Sequence, residues 1–167
     1  SFSDERGGFR IVSVSGSGTA TDPVEVTQEF GSVKPVTLVI RAARPIRSFS
    51  LSGSGSDYAT GFIHFKIVAV NASGQAWIEF AFELQETFGK PSDFFDGLSF
   101  DQSSQKPDYI SSDHFGNFKD AFEPYDHLSI SNGHVVVSDR ANFTFFITDF
   151  TPVSQFYLVE EPRIPFS

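Results

Sequence analysis

Acidic side chains are concentrated in one section of the chain, residues 90–127. Eight carboxylates lie there against three lysines, so this section supplies five of the nine net negative charges. Calcium is bound by carboxylate and carbonyl oxygens on loops. If this section folds back on itself, four residues can converge as Ca²⁺ ligands: Asp93, Asp96, Gly97 through its carbonyl, and Asp101. Asp also forms turns by hydrogen-bonding its own backbone, so solvated turn residues are the alternative interpretation.

Catalytic chemistry has little support in the residue pattern. The four histidines lack the close spacing of a zinc site, and no serine lies in a Gly-x-Ser-x-Gly elbow. Glu79 and Glu83 share one face of a predicted strand. Residues four apart on a strand are separated by roughly 13 Å, which exceeds the spacing of glycosidase carboxylates. We therefore expect that the protein is not an enzyme.

Aromatic residues provide a second candidate site. Trp77, Tyr109 and Tyr125 would form a sugar-stacking platform if they share a surface. The alternative for Trp77 is a place in the core, because a single Trp among 21 Phe residues is typical of an aromatic core.

Alternation of apolar and polar residues predicts strands throughout the chain. Residues 61–70 and 75–85 both alternate, and the turn-forming Asn71-Ala-Ser-Gly74 lies between them, so they predict a β-hairpin with Ile78 on its buried face. Residues 128–131 and 134–138 predict a second hairpin around Asn132-Gly133. Further strands are expected at 9–15, 24–30, 36–42, 46–52, 98–101, 109–111, 142–149 and 155–160.

About ten strands with little or no helix predict an all-β protein, an antiparallel two-sheet β-sandwich of jelly-roll or immunoglobulin-like type. The length of 167 residues suits a single domain. Within it we expect a flexible arm at residues 1–8, a long loop-rich section at 90–127 and a tail at 161–167.

Charge and composition limit the partners. A net charge of −9 argues against binding to nucleic acid or to an anionic membrane surface.

The chain has no apolar run of transmembrane length, and it opens on Ser1 without a hydrophobic signal region, so we expect a mature chain or an excised domain. The absence of Cys and Met fits a secreted or cell-surface protein that avoids oxidisable side chains.

Two parts of the chain have a recognisable residue pattern. Residues 70–84 read Val-Asn-Ala-Ser-Gly-Gln-Ala-Trp-Ile-Glu-Phe-Ala-Phe-Glu-Leu, a turn followed by Trp and a Phe-x-x-Glu-Leu strand. The second half continues similarly through residues 126–133, 142–149 and 156–159. Both parts resemble exported bacterial β-proteins, including those with a PEP-CTERM sorting tail. The resemblance implies a surface- or matrix-associated β-sandwich, and it brings no catalytic residues.

Two functions follow as expectations. The first is a non-enzymatic extracellular structural or adhesive module that forms homo-oligomers through edge strands or terminal arms, since an unpaired strand edge can pair with another chain. The alternative is a carbohydrate- or ligand-binding module that is supported by Ca²⁺ in the acidic section.

Overall fold

The computed structural model describes residues 1–19, 21–41, 59–90, 98–100, 111–121, 127–153 and 155–165. Within these ranges the chain forms strands and no helix, so it has no helix there that could span a membrane. The strands are β1 Phe2–Ser3, β2 Phe9–Ser15, β3 Val24–Phe30, β4 Val36–Arg41, β5 Ala59–Asn71, β6 Glu79–Gln85, β7 Leu98–Phe100, β8 Ser111–Ser112, β9 Phe115–Ala121, β10 His127–Gly133, β11 Arg140–Val153 and β12 Gln155–Arg163.

The strands form two sheets, which confirms the predicted two-sheet β-sandwich. Sheet A has the order β1-β4-β12-β6-β10-β9. Sheet B has the order β2-β3-β5-β11-β7, with β8 also paired to β11. The pairing is antiparallel except between β3 and β5, which run parallel in register from Val24 opposite Phe65 to Phe30 opposite Asn71. A parallel pair needs a long connection between its strands, and here residues 31–58, which include β4, lie between β3 and β5.

Large aromatic side chains fill the space between the sheets. Phe80 on β6 of sheet A lies 5.6 Å from Phe30 on β3 and 4.8 Å from Phe143 on β11, measured between ring centroids. Phe82 continues this layer with centroid distances of 5.3 Å to Phe143 and 5.0 Å to Phe145. Each strand contributes every second residue to the core because successive side chains point to opposite faces. Among the described residues, ten Phe side chains are buried in this core.

The predicted hairpin of residues 61–70 and 75–85 is wrong. Both segments are strands, but β5 lies in sheet B between β3 and β11, whereas β6 lies in sheet A between β12 and β10. The turn at Asn71–Gly74 thus carries the chain from one sheet to the other. Alternation also breaks before β6: Trp77 is fully buried and Ile78, predicted to be buried, is 43% exposed.

The second predicted hairpin is wrong as well. β10 pairs with β6 and β9, while the following segment meets the rest of the fold at the bridge between Val135 and Trp77. Asn132 has a positive φ of 63°, but it lies within β10 and not in a two-residue turn. Residues 115–121, which we expected to be loop, form the edge strand β9.

The chain ends are more regular than the sequence indicated. Phe2 and Ser3, in the arm expected to be flexible, pair with Ile40 and Val39 of β4. The arm is also held by Arg6, whose guanidinium lies 3.7 Å from the centroid of the Phe88 ring. At the other end β12 continues to Arg163, past the expected start of the tail at residue 161. The predicted strand at 46–52 lies outside the described residues.

Replacing Phe80 by Ala is expected to lower the free energy of unfolding by about 3–5 kcal/mol, because the lost ring contacts both sheets and leaves a cavity between them. Chemical denaturation measures the change. Phe88→Ala is the matched control: Phe88 is 46% exposed and its loss should cost much less. Equal losses in the two variants would contradict a core that depends on the ring of Phe80.

Candidate functional site

Asn71 is the centre of a buried polar corner where β5 ends. Its side chain is 0% exposed. The Nδ2 group donates hydrogen bonds to the carbonyls of Gln75 at 2.9 Å and Val135 at 3.0 Å. Its Oδ1 atom accepts hydrogen bonds from the backbone N–H of Ser73 at 3.1 Å and from the Ser73 hydroxyl at 2.6 Å. One amide thus joins the β5–β6 turn to the segment that follows β10.

Ser73 and Trp77 extend this corner. The indole Nε1 of Trp77 donates to Ser73 Oγ at 3.1 Å, and the Trp77 ring packs 5.5 Å from both Phe30 and Phe80. Gly74 has a φ of +80°, a conformation that glycine adopts without strain. The Asn-Ala-Ser-Gly and Trp residues that looked like a motif therefore act together as a structural corner.

The side chains of Asp113, His114 and Asp139 form a charged cluster between the start of β9 and the start of β11. His114 Nδ1 lies 2.6 Å from Asp113 Oδ1, and His114 Nε2 lies 2.9 Å from Asp139 Oδ2. Asp113 also accepts from the backbone N–H of Asn142 at 2.8 Å and from its side-chain amide at 2.6 Å. Both imidazole nitrogens are used by carboxylates, so His114 is not arranged as a general base for a substrate.

The charges in this cluster reinforce each other. Burial lowers the pKa of His114, but the hydrogen bonds and negative charges of Asp113 and Asp139 outweigh it and raise the pKa above the ordinary 6.5. Burial raises the pKa of Asp113, while its bonds to His114 and Asn142 bring the net value below 3.8. The hydrogen bond from His114 is the main cause of the lowered pKa of Asp139. The cluster, called the His114 clamp below, thus holds an imidazole between two carboxylates that favour its protonated form.

A third polar group lies inside the sandwich. Gln28 on β3 and Glu160 on β12 are both 0% exposed, and Gln28 Nε2 donates to Glu160 Oε2 at 2.5 Å. Burial raises the pKa of Glu160 to about 8, although the hydrogen bond from Gln28 acts in the opposite direction. The pair connects sheet B to sheet A directly.

Of the residues that the sequence analysis proposed as sites, the structure describes only Trp77. Trp77 is 0% exposed, so its ring packs in the core and offers no open face for stacking on a sugar. Tyr109 and Tyr125, and the candidate Ca²⁺ ligands Asp93, Asp96, Gly97 and Asp101, lie outside the described residues. Within the described ranges, no group of three His, Cys, Asp or Glu side chains is arranged to hold a metal ion.

A groove of about 140 Å³ lies on the outer face of sheet A. Glu83, His127 and Val159 are register neighbours across three strands there. Its lining residues are Ala81, Phe82, Glu83, His127, Val159 and Glu161. Phe82 is the only one of these residues with a phenyl ring, and it is 0% exposed because that ring points into the core. The groove therefore offers carboxylates and an imidazole, but none of its lining residues presents a phenyl or indole ring for stacking on a sugar.

The second half of the edge strand β2 is an exposed and uncharged segment of strand. No strand described here pairs with its outer edge. Asp4 Oδ2 accepts the N–H of Ile11 at 2.9 Å, so the first half of the edge is covered. The second half, Val-Ser-Val-Ser at residues 12–15, is exposed, with Val12 at 47% and Val14 at 45%.

The fold and these clusters define the class of the protein as a two-sheet β-sandwich in which polar side chains fasten strands to one another. Comparison of the chain with protein-family models, curated proteins and solved structures finds no match. The interpretation of its function therefore depends on the geometry of the fold.

Asn71→Asp is expected to lower the free energy of unfolding by roughly 3 kcal/mol or more, because a buried carboxylate has no N–H to donate and its charge would lie against the carbonyls of Gln75 and Val135. Asn117→Asp, at an exposed position on β9, makes the same change in charge and serves as the control. Chemical denaturation at pH 7 compares the two. Similar stability for both variants would contradict the structural role of the corner.

His114→Gln is expected to reduce stability in a pH-dependent way. The raised pKa of His114 means that its contribution is complete below pH 6.5 and is lost as the pH rises through the folded value. The lowered pKa values of Asp113 and Asp139 mean that theirs is complete above pH 3.8 and is lost at lower pH. The stability difference from wild type should therefore be largest between these limits.

Thermal unfolding between pH 3 and pH 9 measures this difference. His134→Gln, at an exposed position, makes the same change of residue and is the matched control. A difference between wild type and His114→Gln that stays constant across the pH range would show that the clamp is not ionic.

Proposed function

We propose that the protein is a non-enzymatic structural or adhesive module of the cell surface or extracellular matrix, and that it self-associates through the edge of β2. The observation that supports a structural role most directly is the use of its polar side chains. In the Asn71 corner, the His114 clamp and the Gln28–Glu160 pair, the donors and acceptors connect one strand or turn to another.

The exposed half of β2 supports self-association. Residues 12–15 carry no charge, and an uncharged strand edge presents backbone N–H and C=O groups that can pair with another chain. Two copies of residues 12–15 would place Val12 of one copy opposite Val14 of the other when the strands run antiparallel. This contact is self-complementary, as a two-fold symmetric dimer requires. It would extend sheet B across both copies.

Composition supports an extracellular location. The chain contains no Cys and no Met, so it has neither of the two side chains that oxidise most readily.

Its net charge of −9 keeps separate copies in solution and opposes their association at low ionic strength. Self-association through β2 should consequently be stronger when salt screens this repulsion.

Self-association is tested by size-exclusion chromatography with light scattering at increasing protein and salt concentration. Wild type is expected to shift from monomer towards dimer or larger species, and the double variant Val12→Lys/Val14→Lys to remain monomeric at the same concentrations. Lysines at an edge prevent strand pairing because their charges would be buried against the partner.

The double variant Val136→Lys/Val137→Lys is the matched control. Its two valines are 48% and 47% exposed, and it changes the net charge by the same amount, but it lies outside the strands. It is expected to associate as wild type does. A wild-type chain that stays monomeric at high protein and high salt would refute the proposal, and so would dissociation caused by the control alone.

A further inference from the structure

Two oxygen atoms of the Gln28–Glu160 pair have no hydrogen-bond partner. Gln28 Oε1 and Glu160 Oε1 are buried and unpaired, although the other arms of the two groups are joined at 2.5 Å. A buried oxygen without a donor costs free energy, and both atoms can only accept while Glu160 is ionised. A single proton on the carboxyl group changes this, because a protonated carboxyl has one O–H donor.

We propose that Glu160 is protonated in the folded protein and donates from Oε1 to Gln28 Oε1, so that the two side chains form a cyclic pair of hydrogen bonds between the sheets, and that loss of this proton weakens the sandwich in alkaline solution. In this state the amide and the carboxyl are both planar, and each presents one donor atom and one acceptor atom to the other. Gln28 Nε2 donates to Glu160 Oε2, and Glu160 Oε1 donates to Gln28 Oε1. The inference is independent of the proposed self-association.

The surroundings of the pair favour the neutral form. On the strands next to it, the core-facing neighbours are Val36 on β4, Phe82 on β6, Ile11 on β2 and Ala69 on β5, according to the strand register. All four are apolar. The charged residues on the same strands, such as Glu29, Glu83, Glu161 and Arg163, alternate to the outer faces and retain partial exposure.

No cation among the described residues is therefore placed to stabilise an ionised Glu160 from the core side. Burial disfavours a charge without a partner, which is the cause of the raised pKa of this carboxyl. The carboxyl binds its proton more tightly in the folded chain than in the unfolded chain, whose ordinary value is 4.5. Folding thus takes up one proton between these two pKa values, and stability decreases as the pH rises through this range.

Equilibrium denaturation of wild type and Glu160→Gln between pH 4 and pH 9 tests the proposal. Glutamine keeps one donor and one acceptor, so it can form the same cyclic pair without titrating. Relative to Glu160→Gln, the unfolding constant of wild type is expected to rise about tenfold per pH unit from about pH 5 to about pH 8 and to level off above it. Glu161→Gln, the next residue on the same strand but on the outer face, should follow wild type.

Infrared spectroscopy provides a second measurement that needs only folded protein. The carbonyl stretch of a protonated carboxylic acid should be present in wild type at pH 6 and disappear in alkaline solution. If Glu160→Gln does not fold, the double variant Gln28→Leu/Glu160→Leu replaces it as the reference, because removing both polar partners leaves neither unsatisfied. The absence of this band at pH 6, or the same pH slope in wild type and in the reference variant, would overturn the proposal.

Discussion

The packing of aromatic rings between the two sheets is the constraint on which the rest of the structure depends. Phe80 and Phe82 of sheet A fit against Phe30, Phe143 and Phe145 of sheet B, and each ring touches several others. Ring edges and faces attract one another in tilted and T-shaped pairs, which adds to the effect of burial. These rings can interlock only when β6 and β11 lie opposite each other in different sheets.

This arrangement explains why the chain changes sheets so often. The β5–β6 turn cannot close a hairpin, because a hairpin would place both strands in the same sheet and leave Phe80 beside β5 instead of opposite β3 and β11. The turn must therefore bridge the end of the sandwich. Asn71 stabilises this bridge because its side-chain amide donates to the carbonyls of both Gln75, in the turn, and Val135, in the segment after β10.

The polar clusters differ in where they lie and in how fully their hydrogen-bonding groups are paired. The Asn71 corner and the His114 clamp lie where strands end, and their donors and acceptors are matched among neighbouring turns. Gln28 and Glu160 lie instead within the apolar layer, where each strand is otherwise apolar on its core side. A polar pair in that position contributes little net stability, but it penalises any strand register that separates its members.

Alternation in the sequence determined most strands, their buried faces and the two-sheet class, because the side-chain period of a strand is visible in a single segment. It did not reveal β9, since Phe-Gly-Asn-Phe-Lys-Asp-Ala does not alternate clearly. Only the tertiary structure decided which strands pair, that Trp77 lies in the core, and that Gln28 meets Glu160 across a separation of 132 residues. Alternation along a strand shows which of its faces is buried. Which strand it pairs with depends on packing between segments that are distant in the sequence, and no local pattern contains that information.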